Sequence, residues 1–318
     1  MLDDGDDDDD DGGGGAAVRF RMNAGNSSSL MFAQTLCAWK ATFTVRRVSV
    51  VSAAHNVETV WTYSDAPSLQ SSLPVIVAVG GLSSDHTSLF RTQMWLFNHG
   101  ARCIAVSVPT TCTSHAMFVD LFDAFLTRVE LAAVDVCFMG SMLGAYLLQL
   151  YAAQRPAHVA GLVLCSPFCS TAFFQRHPPL GGLAGWMPEF MLKRKLLSAL
   201  PAGELDADDV DGIDFLVGVI EQLPREAIVN RMALMCAADT LDPSQLRIAR
   251  SRIAVVVAAP GTLNPKLPDA VRAAYDGCRV CTVKSDDEFY SLTRAHDQFA
   301  MQVLVHLRSL VIAAVPPE

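Results

Sequence analysis

Outside its first eleven residues the sequence carries almost no net charge. Eight aspartates, Asp3, Asp4 and Asp6 to Asp11, account for most of the formal charge of −9, and without them the chain carries −1. A nearly neutral body with no basic patch argues against nucleic acid as a partner. The N-terminus also lacks a basic stretch followed by an apolar one, so no signal peptide is expected. Paired cysteines are missing too. The nine cysteines are odd in number, scattered and mostly set in apolar runs, a pattern of reduced thiols in a cytoplasmic protein. Cys278 and Cys281 have redox or zinc spacing, but no second pair completes a metal site. Asp206 to Gly212 is similar to a calcium loop, yet Val210 and Val217 stand where ligands are needed. No metal and no cofactor is expected. An unbroken membrane-length apolar run is also absent: Val136 to Ala153 has no charge, but Gly140 and Gly144 interrupt it, as in a buried strand followed by a buried helix.

What the chain does have is hydrophobic mass and a rhythm. Half of its 318 residues are hydrophobic, enough for one large α/β domain with an insertion. The acidic head, Gly12 to Gly15 and Ser27 to Ser29 read as a disordered tail over residues 1–35. Two amphipathic strands, Phe43 to Val51 and Val57 to Tyr63, precede strictly apolar runs at Pro74 to Val79, Arg102 to Val108, Val136 to Gly140 and Gly161 to Cys165. Such runs mark parallel strands buried on both faces. Helical patterns lie between them. From residue 166 to 249 only helical segments are apparent (Pro188 to Leu200, Asp206 to Leu223, Pro224 to Cys236). The alternation then resumes with strands at Arg252 to Ala258 and Arg279 to Val283, and a last helix from His296. A core of residues 36–165 and 250–312 with a helical insertion follows.

The central feature is Val136 to Leu148, a strand that enters a glycine-bounded turn and leaves it as a helix. Gly140 and Gly144 frame that turn as the glycines of a nucleophile elbow do, placing Met142 at its apex. The layout implies an α/β-hydrolase fold: a mostly parallel eight-stranded sheet flanked by helices, with residues 166–249 as a cap. A thioether cannot serve as an alkoxide nucleophile. An acid is needed after the seventh strand and a histidine after the eighth. The acid's place falls on Gly261, and the histidine's nearest counterpart is Glu288. All three triad positions are therefore degenerate. Ser141, His296 and Asp286 or Asp287 form the fallback set for a weak esterase or lipase. A small-molecule sensor with an apolar pocket is a further alternative. His115, after the fourth strand, could approach the elbow from the other side. Leu143 and the Gly80-Gly81-Leu82 turn could still supply backbone donors, but loss of a serine nucleophile alone costs on the order of a millionfold in turnover.

The elbow, Leu162 to Phe168, Trp186 to Arg194, Gly212 to Val217 and Val305-His306-Leu307 together resemble the maspardin family, in the same order and across roughly Trp39 to Leu310. The resemblance implies an α/β-hydrolase fold kept as a non-catalytic binding protein with protein partners. It also implies a cytoplasmic location with peripheral association to endosomal or Golgi membranes. The family usually has serine where this chain has Met142, which removes the remaining case for catalysis. Expected binding residues are Gly81, Leu82 and Leu143 at the elbow and Trp186 and Phe190 on the cap, beside the basic run Lys193-Arg194-Lys195.

Overall fold

The computed structural model describes residues 27–52, 54–66, 71–178, 183–200, 207–238, 240–257, 267–283 and 296–314. Strands β1 (Thr44–Ser52), β2 (Val57–Asp65), β3 (Val75–Val79), β4 (Cys103–Ser107), β5 (Val136–Ser141), β6 (Gly161–Cys165), β7 (Ile253–Val257) and β8 (Arg279–Thr282) make one sheet. Its order is β1-β2-β4-β3-β5-β6-β7-β8. β1 and β2 pair antiparallel, β2 meets β4 antiparallel, and every other pairing is parallel. This is the sheet of an α/β-hydrolase.

Side chains alternate across the parallel strands, so one run of apolar residues feeds two cores. Val77, Val79 and Phe138 face α3 (His115–Arg128) and α4 (Leu143–Gln154). Ile76, Ala78, Cys137 and Met139 face α10 (His296–Ala314) and Leu96 of α2 (Phe90–Asn98). α2 stops where Gly100 takes a left-handed φ of 80°, a conformation open to glycine at little cost. Ser114 opens α3 by accepting from the Met117 amide at 3.2 Å. Thr35 to Thr42 lie in neither loop nor tail. Helix α1 (Ser27–Thr42) begins inside the stretch expected to be disordered through residue 35. Phe32 and Trp39 hold it down: both are buried, and they pack with Phe90. The Trp39 indole also donates to Gln93 at 2.9 Å.

Between β6 and β7 the described chain forms α5 (Ala172–Arg176), α6 (Glu189–Leu197), α7 (Ala207–Gln222) and α8 (Arg225–Cys236). The only β pairing described there is the single bridge of Ser170 with Thr240. Leu192 and Leu196 of α6, Leu216 and Ile220 of α7, and Ile228 and Met232 of α8 share a buried cluster with α1 and α2. These helices thus rest on α1 and α2, and α8 reaches the loops that follow β3 and β4. α9 (Leu267–Ala274) packs Val271 beneath β7 and β8.

Candidate functional site at the elbow

β5 delivers the chain to a turn whose geometry forbids side chains on both flanking glycines. A Cβ on Gly140 would lie 2.5 Å from the Ala145 nitrogen, and one on Gly144 would lie 2.1 Å from the Val79 oxygen. The strain falls on Met142, with φ 47° and ψ −110°. Residues other than glycine rarely take a positive φ, and they hold it where the surrounding structure enforces it. Here the Met142 amide donates to the Cys165 carbonyl and its own carbonyl accepts from Tyr146, both at 3.0 Å. The turn is therefore tied to β6 on one side and to α4 on the other.

Met142, not Ser141, is the apex residue. Its side chain is 9% exposed and belongs to the main apolar cluster with Leu143, Tyr146, Phe168, Leu234 and Met235. Ser141 is the last residue of β5, paired with Cys165. Among the described residues its hydroxyl has no hydrogen-bond partner. The Gly80-Gly81 turn after β3 lies directly over it: a Cβ on Gly81 would touch the Ser141 carbonyl oxygen at 3.5 Å and both Met142 Cβ and Ser141 Oγ at 3.6 Å. Gly81 thus lies against Ser141 and Met142, and Leu143 follows the apex as the first residue of α4.

The candidate bases are engaged elsewhere. His296 opens α10 and pairs with Asp297, Nε2 to Oδ1, at 2.9 Å. It makes no hydrogen bond with Ser141. His115 donates from Nε2 to the Leu234 carbonyl at 2.8 Å and sets its ring edge-on to Tyr146, so it links α3 to the cap. Gly261, Asp286, Asp287 and Glu288 lie outside the described residues. Trp186 and Phe190 do not reach the elbow. They face solvent at 89% and 69% exposure.

Sequence reasoning missed Arg231 of α8. It is buried, and Nη1 donates to the carbonyls of Leu82 and Ser84 at 3.0 and 2.6 Å while Nη2 reaches Val108 at 3.4 Å. Burial pulls its pKa down to about 10, partly offset by Asp85, so the guanidinium stays charged at neutral pH. It thereby fixes the loops after β3 and β4 to the cap. The signal was present in the sequence: Arg231 stands in the apolar stripe Ile228, Met232, Met235, at i+3 from Ile228. Burial pushes the Cys112 and Cys137 thiols up to about 12, so neither is a reactive thiolate at neutral pH.

Fold and elbow together define an α/β-hydrolase-fold protein whose apex carries methionine. The esterase of Thermogutta terrifontis superposes with a TM-score of 0.68 at 16% identity, covering 83% of this chain and 99% of that one. A haloalkane dehalogenase variant from Bradyrhizobium elkanii gives 0.58 at 15% identity, covering 86% and 98%. At such identities the likeness concerns the fold. In sequence the chain is similar to maspardin, and the resemblance read from its motifs holds along most of its length. Human maspardin is 27% identical over 251 residues, 78% of this chain and 79% of that protein. Maspardin from Danio rerio is 26% identical over 265 residues, 81% and 83% of the two chains. The Ndr family model matches residues 68–176, the segment from β3 through the elbow to α5.

Proposed function

We propose that this protein is a non-catalytic, maspardin-like binding protein that uses the hydrolase fold as a scaffold in endosomal or Golgi trafficking. The observation that carries the reading is Met142, which holds the strained apex and seals it with an apolar side chain packed into the core. A nucleophile must stand at that apex, exposed toward the substrate and hydrogen-bonded to its base. Ser141, one residue earlier, lacks the turn conformation, and among the described residues its hydroxyl meets no base. The likeness to maspardin and the exposed aromatic face of the cap support a role in binding.

The test is labelling by a broad fluorophosphonate probe alongside turnover of a short-chain activated ester, on the wild type and Ser141→Ala. No labelling, with ester loss equal in the two proteins, is the expected result. Stoichiometric labelling that disappears in Ser141→Ala would overturn the reading and establish a serine hydrolase.

A further inference from the structure

The cap carries a face that is exposed among the described residues. Of the twelve large apolar residues exposed among the described ones, four fall within nine positions: Leu183, Trp186, Phe190 and Met191. Both exposed aromatics are in this group. Ordinary surfaces scatter such residues singly, and a concentrated set marks a site of contact.

The backbone beneath them is fixed. Trp186 closes a 3-10 turn (Ala184–Trp186) in which its amide donates to Leu183 at 2.9 Å. From behind, Arg225 of α8 donates through Nη2 to the Gly185 carbonyl at 2.6 Å and through Nε to Met187 at 3.1 Å. α6 then lays Leu192 and Leu196 into the cluster shared with α1, α2, α7 and α8. The turn and the helix are thus held on their inner side, while the outer side chains are exposed among the described residues.

That outer face interleaves apolar and cationic groups. Phe190 with Arg194 and Met191 with Lys195 are each i, i+4 pairs, so each cation stands one turn along from an exposed apolar side chain. Lys193 is occupied by the Glu189 carboxylate and the Glu221 carbonyl. Arg194 and Lys195 are exposed and have no ion-pair partner among the described residues.

We propose that this face binds lipid bilayers carrying anionic headgroups. Trp186, Phe190, Leu183 and Met191 enter the boundary between headgroups and acyl chains, with α6 lying in the plane of the interface. Arg194 and Lys195 run their methylene stems along the same boundary and place their charges at the lipid phosphates. Lys195 favours a bilayer over a protein partner, because lysine is depleted from protein interfaces, whereas its ammonium beside Met191 suits a surface of lipid phosphates. The prominence of Trp186 points the same way: a protein would need a pocket shaped to receive it, and a bilayer needs none.

The experiment is flotation of the full chain with vesicles of phosphatidylcholine, alone or mixed with phosphatidylserine, with tryptophan emission read in parallel. Binding to the mixed vesicles with a blue shift is expected, and both are lost in Trp186→Ser/Phe190→Ser. Arg194→Gln/Lys195→Gln is expected to weaken binding to mixed vesicles roughly thirtyfold, about fivefold for each charge removed, and to flatten its salt dependence. All four side chains are on the surface, so unchanged circular dichroism confirms that the variants fold. Absence of vesicle binding by the wild type, or binding that survives Trp186→Ser/Phe190→Ser, would overturn the proposal. So would a purified protein partner whose capture depends on the same aromatics while vesicles go unbound. Vesicle binding and Ser141 labelling are separate readouts, and either can fail without the other.

Discussion

Arg231 and Leu82 are joined across the two halves of the molecule: the guanidinium of a cap helix donates to the carbonyl of the loop that overhangs the elbow, at 3.0 Å. The same nitrogen holds Ser84. Replacing Arg231 with methionine keeps much of the volume but strips donors from the carbonyls of Leu82, Ser84 and Val108. Each buried acceptor left without a donor is costly, and the variant is expected to lose about 3 kcal/mol, read as a lower urea midpoint with an unchanged slope. A midpoint equal to the wild type would mean that water replaces the guanidinium and that the tie holds nothing.

Gly144 meets β3 so closely that a single methyl group has no place. With its Cβ 2.1 Å from the Val79 oxygen, Gly144→Ala must separate α4 from the sheet or fail to fold. Overpacking against backbone is expected to cost about 3 kcal/mol or more. Alanine at Gly185, where no atom stands within 4 Å, is the control and should leave the thermal midpoint in place.

Acid should weaken the fold through His306. Its ring is buried, Nε2 donates to the Arg252 carbonyl at 3.2 Å, and Nδ1 has no acceptor. Burial lowers its pKa from 6.5 to about 4, against a smaller upward pull from the Arg252 carbonyl. Between those values the unfolded chain binds the extra proton, so the stabilisation is complete above pH 6.5 and is lost as pH falls toward 4. The loss is at most roughly 3 kcal/mol. His306→Gln keeps a donor and removes the titration, so its urea midpoint should fall less between pH 7 and 4.5 than that of the wild type. Parallel curves would assign the acid sensitivity to other groups.

Restoring the apex hydroxyl should not restore an enzyme. Met142→Ser places a serine at φ 47°, but no histidine follows the eighth strand in its required place and His296 is paired with Asp297. Ester turnover within about tenfold of the wild type is expected, since a serine without its base adds little. A gain of several orders of magnitude would reveal a base that the variant recruits. The same change removes a buried side chain and should lower stability by about 2 kcal/mol.

The elbow was legible in the sequence because two physical demands meet there. Strands buried on both faces read as unbroken apolar runs, and glycines enforced by contact with Val79 and Ala145 cannot be disguised. The eight strands along the chain and the helical segments between the sixth and seventh were legible for the same reason. Helix α1 was not, because Phe32 and Trp39 are buried and Leu36 packs in part while Leu30 and Met31 remain exposed, which leaves no clean apolar stripe. Arg231 was hidden by its charge: a cation in an apolar stripe is read as surface until the carbonyls that surround it are seen. His115 looked like a candidate base and proved to be a strut, because its partner, Leu234, is distant in sequence.

The ties from α8 have a consequence for how this molecule can come apart. In sequence, residues 166–249 are an insertion that could be cut out or exchanged. Energetically there is no seam. One buried cluster runs from Trp39 and Phe90 through Leu192 to Met232, and another takes Leu234 and Met235 into the company of Phe138 and Leu164. Cap and core are therefore expected to melt together, seen as coincident transitions by circular dichroism and tryptophan emission. Substitution in the insertion is expected to be tolerated best on its outward side, where α6 can alter what it presents without disturbing what it supports.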